Sequence, residues 1–260
     1  MGAARAGRGC LLPVKYFLAS WKMYPTVDEA VALLEGIQAG LRARADSGAL
    51  LPQVIICPPF VALVPLRAMV DDSLVHLGAQ NCHWEQEGPY TGEISARMLR
   101  GLAEYVLIGH SERRAMGETD EQIAGKVAAA AEVGVVPILF VGEDGQDSEQ
   151  LHQTEHRLRQ GLSGIDPSTQ PVLVVYEPIW AIGVEDAAAG THVRRTVEHL
   201  KSVLLGLGVR EPTVIYGGSV VPHNVDELAA LDVLDGLGAT RASLDLERLF
   251  PIVDRLTTRI

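Results

Sequence analysis

The chain has 260 residues, 47% of them hydrophobic, and a formal net charge of −11. This length fits one large domain or two small ones, and the apolar content is sufficient for a substantial core. The negative charge argues against binding to nucleic acids or to anionic membrane surfaces. No stretch reaches the roughly 18 consecutive apolar residues of a membrane-spanning helix, so we expect no association with membranes.

The cysteine pattern indicates neither a disulfide framework nor a metal site. Cys10, Cys57 and Cys82 are odd in number and form no CxxC pair, which is why no bound metal is expected. Residues 1–10 are rich in glycine, alanine and arginine and contain no apolar segment long enough for a secretory signal. We therefore expect a flexible N-terminal extension over about residues 1–14 and a cytoplasmic location.

Short apolar segments alternate with helix-like segments along the chain. In the first helix, Ala30, Leu34 and Ile37 recur at helical spacing on one apolar stripe. Thr119 is a suitable cap for a later helix. The predicted strands cover residues 16–19, 54–57, 74–79, 105–108, 135–141, 172–176, 213–216 and 233–237. The predicted helices cover residues 28–44, 61–70, 96–102, 120–132, 148–161, 191–205, 224–231 and 244–256.

Eight strand–helix units follow one another without a break in composition. Alternating units of this kind predict a parallel sheet, and strands that are apolar throughout are typical of strands buried on both faces. Eight units in this length favour a closed (βα)8 barrel over an open doubly wound sheet. Ser20-Trp21-Lys22 follows the first strand in place of a GxGxxG fingerprint, so dinucleotide binding is disfavoured and no cofactor is expected. We predict a single α/β domain, residues 1–260.

Polar side chains follow several of the predicted strands. Lys22 comes after the first strand, His110 and Glu112 after the fourth, Glu177 after the sixth and Ser219 after the seventh. In a barrel of parallel strands these positions share one mouth, where active sites are found. Taken singly, each has an ordinary explanation, such as a solvated lysine, a core histidine or a tight turn. Their joint occurrence at strand ends favours a catalytic site.

These residue types suit proton transfer on a phosphorylated sugar. A glutamate at the end of a buried strand can act as a general base, because burial favours its protonated form and an apolar flap excludes water. We expect this flap, the apolar segment after Glu177 and Pro178, to be a loop. A histidine can polarise a carbonyl group, and a lysine can stabilise the negative charge of an enediol intermediate. The turn Gly217-Gly218-Ser219 offers backbone N–H groups to a phosphate.

Seven short motifs show a resemblance to one enzyme family. They are Trp21-Lys22-Met23, Ala79-Gln80-Asn81, Tyr90-Thr91-Gly92-Glu93, Ile108-Gly109-His110-Ser111-Glu112-Arg113-Arg114, Gly117-Glu118-Thr119-Asp120, Glu177-Pro178-Ile179-Trp180-Ala181-Ile182-Gly183 and Tyr216-Gly217-Gly218-Ser219. With these motifs the chain resembles the triosephosphate isomerases from about residue 16 to residue 256.

The resemblance implies a role for individual residues. Glu177 is similar to the family's base, His110 to its neutral electrophile, Lys22 to its active-site cation and Glu112 to the acid beside the site. Thr91 resembles the residue that enters a neighbouring subunit's site, which implies a homodimer. Backbone N–H groups of Gly183 and Ser219 look like phosphate ligands, and the mobile lid is implied to begin with Ile179, Trp180, Ala181, Ile182 and Val184.

The chain departs from the family pattern in several places. Ser20 stands where the family usually has an asparagine that bonds to the substrate, and Phe140 stands at a usual cysteine position. Thr240-Arg241 replaces the paired glycines of the last strand, and Val184-Glu185-Asp186 replaces the usual rear hinge of the lid. A shorter side chain at Ser20 leaves room for a larger substrate, and Arg241 could give a charge-assisted contact to the phosphate.

Two substrates are therefore considered, together with one non-catalytic role. The first reaction interconverts glyceraldehyde 3-phosphate and dihydroxyacetone phosphate. The second interconverts L-erythrulose 1-phosphate and D-erythrulose 4-phosphate, as in the four-carbon branch of the family that Ser20 and Arg241 resemble. A barrel that only binds a phosphosugar is the third possibility, since fold alone permits it. The presence of Glu177, His110 and Lys22 together argues against this last role, because a binder needs no base.

Overall fold

The computed structural model of the protein describes residues 15–146, 150–182 and 187–259. Eight parallel strands form one closed barrel, in which each strand pairs with the next in the chain and the last pairs with the first. The predicted (βα)8 fold is thus confirmed. The strands are β1 (Tyr16–Ser20), β2 (Gln53–Cys57), β3 (Val75–Ala79), β4 (Tyr105–Ile108), β5 (Val136–Val141), β6 (Leu173–Tyr176), β7 (Val214–Tyr216) and β8 (Gly236–Ala239).

A helix follows each strand of the barrel. These helices are α1 (Val27–Asp46), α2 (Phe60–Arg67), α3 (Ala96–Leu99), α4 (Asp120–Glu132), α5 (Gln150–Gly161), α6 (Gly190–Gly206), α7 (Val225–Ala229) and α8 (Leu246–Leu256). Three short turns of helix lie near the carboxyl ends of the strands: Ser111–Ala115, Ile179–Ala181 and Arg241–Leu244. A two-stranded antiparallel ribbon pairs Ala49–Leu50 with Thr258–Arg259.

Local sequence explains where the longest helices begin. Thr26 and Thr119 each accept a hydrogen bond from the third residue of their helix, and the side chains of Glu29 and Gln122 bond back to the cap. Such capping boxes satisfy N–H groups that have no partner inside the helix. The predicted cap at Thr119 is confirmed.

Alternation along the strands divides the core into two layers. Side chains of one parity fill the inside of the barrel, and those of the other parity pack against the helices. The inner layer contains Leu18, Ile55, Cys57, Leu107, Ile138, Phe140, Leu173, Val175 and Ile215. The outer layer is larger and includes Phe17, Ile56, Leu34, Val174 and Leu249. The barrel is therefore a packed core with one polar mouth.

Two sequence predictions need correction. The last strand was expected at residues 233–237 but is Gly236–Ala239, because residues 231–234 form a turn in which Leu234 N–H donates to Leu231 O. An added Cβ at Gly236 would lie 2.3 Å from Tyr16 O, so glycine permits the close pairing with β1. The segment after Glu177 was expected to be loop, yet Ile179–Ala181 forms a 3₁₀ turn that starts after Pro178.

Other predictions remain untested by the fold. The expected extension over residues 1–14 lies outside the described residues, as do Gly183 and Val184. Across the described ranges, no helix is both long enough and apolar enough to cross a membrane. The same ranges contain no cluster of three or more histidine, cysteine, aspartate or glutamate side chains that could hold a metal ion.

Candidate active site

The carboxyl ends of β1, β4 and β6 bring three predicted catalytic side chains together. His110 Nε2 lies 3.2 Å from Glu177 Oε1, and Lys22 Nζ lies 2.7 Å from Glu112 Oε1. Ser20, Lys22, His110 and Glu112 share one open cavity of about 500 Å³. These residues are distant in sequence and meet because parallel strands end at one rim of the barrel.

Lys22 has an unusual backbone conformation. Its φ angle is +48°, and no other described residue except glycine has a positive φ. Gln80 Nε2 donates to both Lys22 O at 2.8 Å and Cys57 O at 2.9 Å, which ties the turn to the neighbouring strand. A left-handed backbone conformation costs free energy in a residue other than glycine, and such conformations are found at functional sites. This backbone conformation, held by Gln80, places the Lys22 ammonium at the mouth beside Glu112.

His110 is held in one neutral form. It caps the Ser111–Ala115 helix, and its Nδ1 accepts a hydrogen bond from Glu112 N–H at 3.1 Å. Because Nδ1 is an acceptor, the ring proton is on Nε2, which faces Glu177. Burial, and to a lesser extent the Lys22 charge, lower the pKa of His110 to about 4, while Glu112 acts in the opposite direction. The imidazole is therefore a neutral donor at pH 7.

Glu177 is a buried carboxylate with few partners. Its Oε2 accepts from Ser111 N–H at 2.9 Å, and its side chain is 5% exposed. Burial raises the pKa of Glu177 to about 7, although the Ser111 hydrogen bonds and Lys22 oppose this shift. A carboxylate with this pKa can take up and release a proton near neutral pH.

Gly142, the residue after β5, allows the end of this strand to approach Glu177 closely. A Cβ at Gly142 would lie 1.9 Å from Glu177 O, a distance that no side chain allows. Glu177 N–H donates to Val141 O at 2.8 Å and Ile179 N–H donates to Glu143 O at 3.0 Å. These backbone contacts fix the start of the segment that follows Glu177.

Glu143 is a second buried carboxylate, which the sequence did not indicate. Its Oε1 accepts from Tyr176 Oη at 2.7 Å and Trp180 Nε1 at 3.0 Å, and lies 2.9 Å from His192 Nε2. Thr154 Oγ1 donates to Oε2 at 3.0 Å. Glu143 follows β5 by two residues, so the strand-end rule that singled out Glu177 could have found it.

The remaining predicted residues lie at or near the same mouth. Ser20 is buried, and its hydroxyl has no hydrogen-bond partner in the described part of the chain. Ser219 follows β7 and its O accepts from Asn224 Nδ2. Thr240 and Arg241 follow β8 at the same end of the barrel, and Arg241 is exposed with no ion pair to any described residue. Thr91 is exposed on the loop after β3 and is not among the described residues that line this cavity.

The predicted lid is described only at its front. Ala181 is buried, and Ile179, Trp180 and Ile182 are half-buried. Trp180 is tied to Glu143 through its indole N–H. Gln80 and Ser111 make further contacts that the sequence did not reveal. The Gln80 side chain donates to backbone carbonyl groups of Lys22 and Cys57, and the Ser111 backbone N–H donates to the Glu177 carboxylate.

Known proteins match this chain over nearly all of its length. The profile of the triosephosphate isomerase family matches residues 15–256. The triosephosphate isomerase of Dehalococcoides mccartyi is 40% identical over 241 residues, which are 90% of this chain and 93% of that protein. Triosephosphate isomerases of Trichodesmium erythraeum and a Synechocystis species are 39% and 40% identical, and each match covers 90% of this chain and 96% of the relative. The chain therefore belongs to the triosephosphate isomerase family and is an isomerase.

Proposed function

We propose that the protein interconverts glyceraldehyde 3-phosphate and dihydroxyacetone phosphate through an enediol intermediate, without a cofactor. The observation that carries this proposal is the buried contact between neutral His110 and Glu177, beside the Lys22 ammonium. The names of the relatives support the same substrate. A barrel that only binds a phosphosugar would need neither a buried base nor a neutral histidine donor.

Each of the three side chains has a distinct step in this reaction. Glu177 removes a proton from the carbon next to the carbonyl group and returns it to the neighbouring carbon. His110 Nε2–H donates to the carbonyl oxygen as negative charge develops there. Lys22 stabilises that charge electrostatically, and Glu112 holds the ammonium in place. Backbone N–H groups near Ser219, with Gly183 from outside the described residues, would bind the phosphate.

A second substrate, L-erythrulose 1-phosphate, is favoured by two side chains. Ser20 is short, lines the same cavity as Lys22 and His110, and has a hydroxyl free of described partners. Arg241 is exposed after β8 and is unpaired within the described ranges, so its guanidinium is available to a phosphate. A chain longer by one carbon would place its extra hydroxyl near Ser20 and its phosphate near Thr240 and Arg241.

The two substrates are separated by measuring kcat/KM for both. We expect wild-type protein to prefer glyceraldehyde 3-phosphate by at least about tenfold, and Ser20→Asn to preserve that activity. Arg241→Gln tests the phosphate contact, with Arg210→Gln as its control, because Arg210 is exposed before β7 at the other end of the barrel. A preference for L-erythrulose 1-phosphate, lost in both Ser20→Asn and Arg241→Gln, would overturn the triose assignment.

We also propose that the protein is a homodimer. Met23, Tyr24 and Met116 are 95%, 59% and 77% exposed and line the rim of the active-site cavity. Large exposed apolar side chains around a polar site are typical of a covered surface. A second copy, entering with its Thr91 loop, fits this rim. The cytoplasmic location stays a prediction.

Sedimentation equilibrium tests the dimer directly. Wild-type protein should have twice the mass of the 27.9 kDa chain. Thr91→Arg should shift the population towards monomers and lower kcat by roughly tenfold or more, since the site would lose a wall that positions the substrate. Thr169→Arg changes an exposed threonine before β6 and serves as the control. A wild-type monomer with full activity would contradict the proposal.

A further inference from the structure

Phe140 lies on the strand between those that precede the two residues proposed for acid–base chemistry. It is the fifth residue of β5, whose neighbours β4 and β6 are followed by His110 and Glu177. Its ring centroid is 4.9 Å from that of His110, with 52° between the ring planes. Only 4% of Phe140 is exposed. The aromatic ring is therefore a fixed apolar surface against the imidazole.

Phe140 also lies close to Glu177. Phe140, Gly109, Ser111, Glu177 and Ile179 line one narrow cleft that has no room for a water molecule. Val175, which pairs with Phe140 in the neighbouring strand, belongs to the same packed inner layer of the barrel. Phe140 therefore contributes to the burial of His110 and lies in the same closed cleft as Glu177.

We infer that Phe140 is a positioning residue of the isomerase, whose ring fixes the orientation of His110 and keeps water away from the His110–Glu177 pair. This role rests on the proposed function. An apolar ring has no charge to contribute, so it acts by excluding water and by packing. A smaller side chain would leave space for water and for rotation of the imidazole.

Charged groups around the pair act alongside this packing. Lys22 from the loop after β1 lowers the pKa of both His110 and Glu177, whereas Glu112 from the Ser111–Ala115 helix raises both. Arg114 and Arg157 line the cleft beside Phe140, but their guanidinium groups are paired with Asp120 and Asp144. Burial is the largest cause of both shifts. A substitution at Phe140 changes burial and leaves the charges in place.

The experiment compares Phe140→Ala and Phe140→Leu with a matched control. Ile138→Ala removes a fully buried side chain from the same strand and the same inner layer, two residues from Phe140. The first readout is the NMR titration of the His110 ring nitrogens without substrate, and the second is kcat/KM for glyceraldehyde 3-phosphate against pH.

Phe140→Ala should move both titrations towards their ordinary values. We expect His110 to become protonated at a pH roughly one unit higher. We expect the acid limb of the kcat/KM profile to shift to a pH roughly one unit lower. We also expect kcat to fall about tenfold with a smaller change in KM, because a loosely held imidazole is misplaced in the transition state. Phe140→Leu keeps the apolar volume and should stay close to wild type.

Three results would overturn this role. The first is unchanged titrations in Phe140→Ala, and the second is equal shifts in Ile138→Ala. The third is a Phe140→Leu variant in which the NMR titration of His110 shifts as much as in Phe140→Ala. If Phe140→Ala does not fold, Phe140→Cys gives the same comparison with a smaller cavity. An inactive wild type would contradict the proposed function alone, because the His110 titration requires no turnover.

Discussion

Two buried glutamates, Glu143 and Glu177, lie within two residues of the ends of neighbouring strands of the barrel. Glu143 is fully buried and Glu177 is 4% exposed. Glu143 is surrounded by the side chains of Tyr176, Trp180 and Thr154 as donors, with His192 beside it. Glu177 has the Ser111 N–H and the neighbouring His110 ring. The two carboxylates thus differ in their hydrogen bonds and hardly at all in burial.

The difference separates a structural carboxylate from a reactive one. An ionised carboxylate offers about four acceptor positions, and Glu143 uses them to join β5, β6, α5 and α6. Glu177 leaves acceptor positions free, and burial raises its pKa to about 7. Free lone pairs and a neutral pKa are what a base requires. Both positions hold a buried carboxyl group. They differ in the number of hydrogen-bond donors that occupy its acceptor positions.

The largest expected effect is the loss of activity in Glu177→Gln. Glutamine has a similar shape but cannot accept a proton from carbon, so kcat should fall by roughly 10³-fold or more. Glu177→Asp keeps a carboxylate and should retain part of the activity. The measurement is steady-state turnover of glyceraldehyde 3-phosphate. Glu177→Gln with wild-type kcat would show that Glu177 is not the base.

The same variant sharpens the comparison through stability. The pKa of Glu177 is raised from 4.5 to about 7, so folding favours its protonated form. This contribution to the free energy of unfolding is present below pH 4.5 and is lost as pH rises through 7. Above pH 7, Glu177→Gln should therefore be more stable than wild type by up to about 3 kcal/mol. Urea unfolding at pH 5 and pH 8 measures this, and equal stability differences at both pH values would contradict it.

The pH dependence of wild-type activity is the next largest effect. In the proposed reaction the ionised form of Glu177 is the base, so kcat/KM should rise about tenfold per pH unit below pH 7 and level off above it. His110, with a pKa of about 4, stays neutral over this range and should add no second step. Tyr176→Phe, which changes a donor to Glu143, should leave the position of the limb unchanged. If Tyr176→Phe moved the acid limb of kcat/KM to another pH, the Glu143 and Glu177 carboxylates would be coupled.

Sequence reasoning placed Glu177, His110 and Lys22 at one mouth because the alternating pattern predicts the barrel and each residue lies within two positions of the end of an apolar strand. It did not locate the partners of Glu143. Tyr176, Trp180 and His192 come from a strand, a 3₁₀ turn and a helix, and their meeting depends on packing of the folded chain. No periodic pattern carries that information.

The last strand and Phe140 show two other limits. Gly236 and Gly238 have low β propensity, so the strand was placed too early in the chain, although close pairing of β8 with β1 requires glycine at position 236. Phe140 was recognised as a departure from the family, but its contact with His110 depends on the angle between two rings. Side-chain orientation of this kind follows from three-dimensional packing.

A smaller loss of stability is expected when Glu143 loses its charge. In Glu143→Gln, one amide nitrogen can replace an acceptor, so the buried donor of Tyr176 or Trp180 loses the carboxylate oxygen that it contacts. Such a loss costs about 1–3 kcal/mol in the free energy of unfolding. Turnover should decrease only several-fold, because Glu177 and His110 remain in place. A 10³-fold loss of kcat with normal stability would place Glu143 in the chemistry and remove the distinction drawn between the two carboxylates.

The smallest effect is expected at His192, which tests how much of the Glu143 network is needed. His192 Nε2 lies 2.9 Å from both Glu143 Oε1 and Tyr176 Oη, and the ring packs edge-on against Trp180 at 5.4 Å. His192→Gln keeps a donor at this place and should change the free energy of unfolding by less than about 1 kcal/mol, whereas His192→Leu should cost about 1 kcal/mol. Neither variant should move the acid limb of kcat/KM, because Tyr176 and Trp180 still hold Glu143. If His192→Leu shifted that limb while His192→Gln did not, the hydrogen bonds of Glu143 would influence the pKa of Glu177.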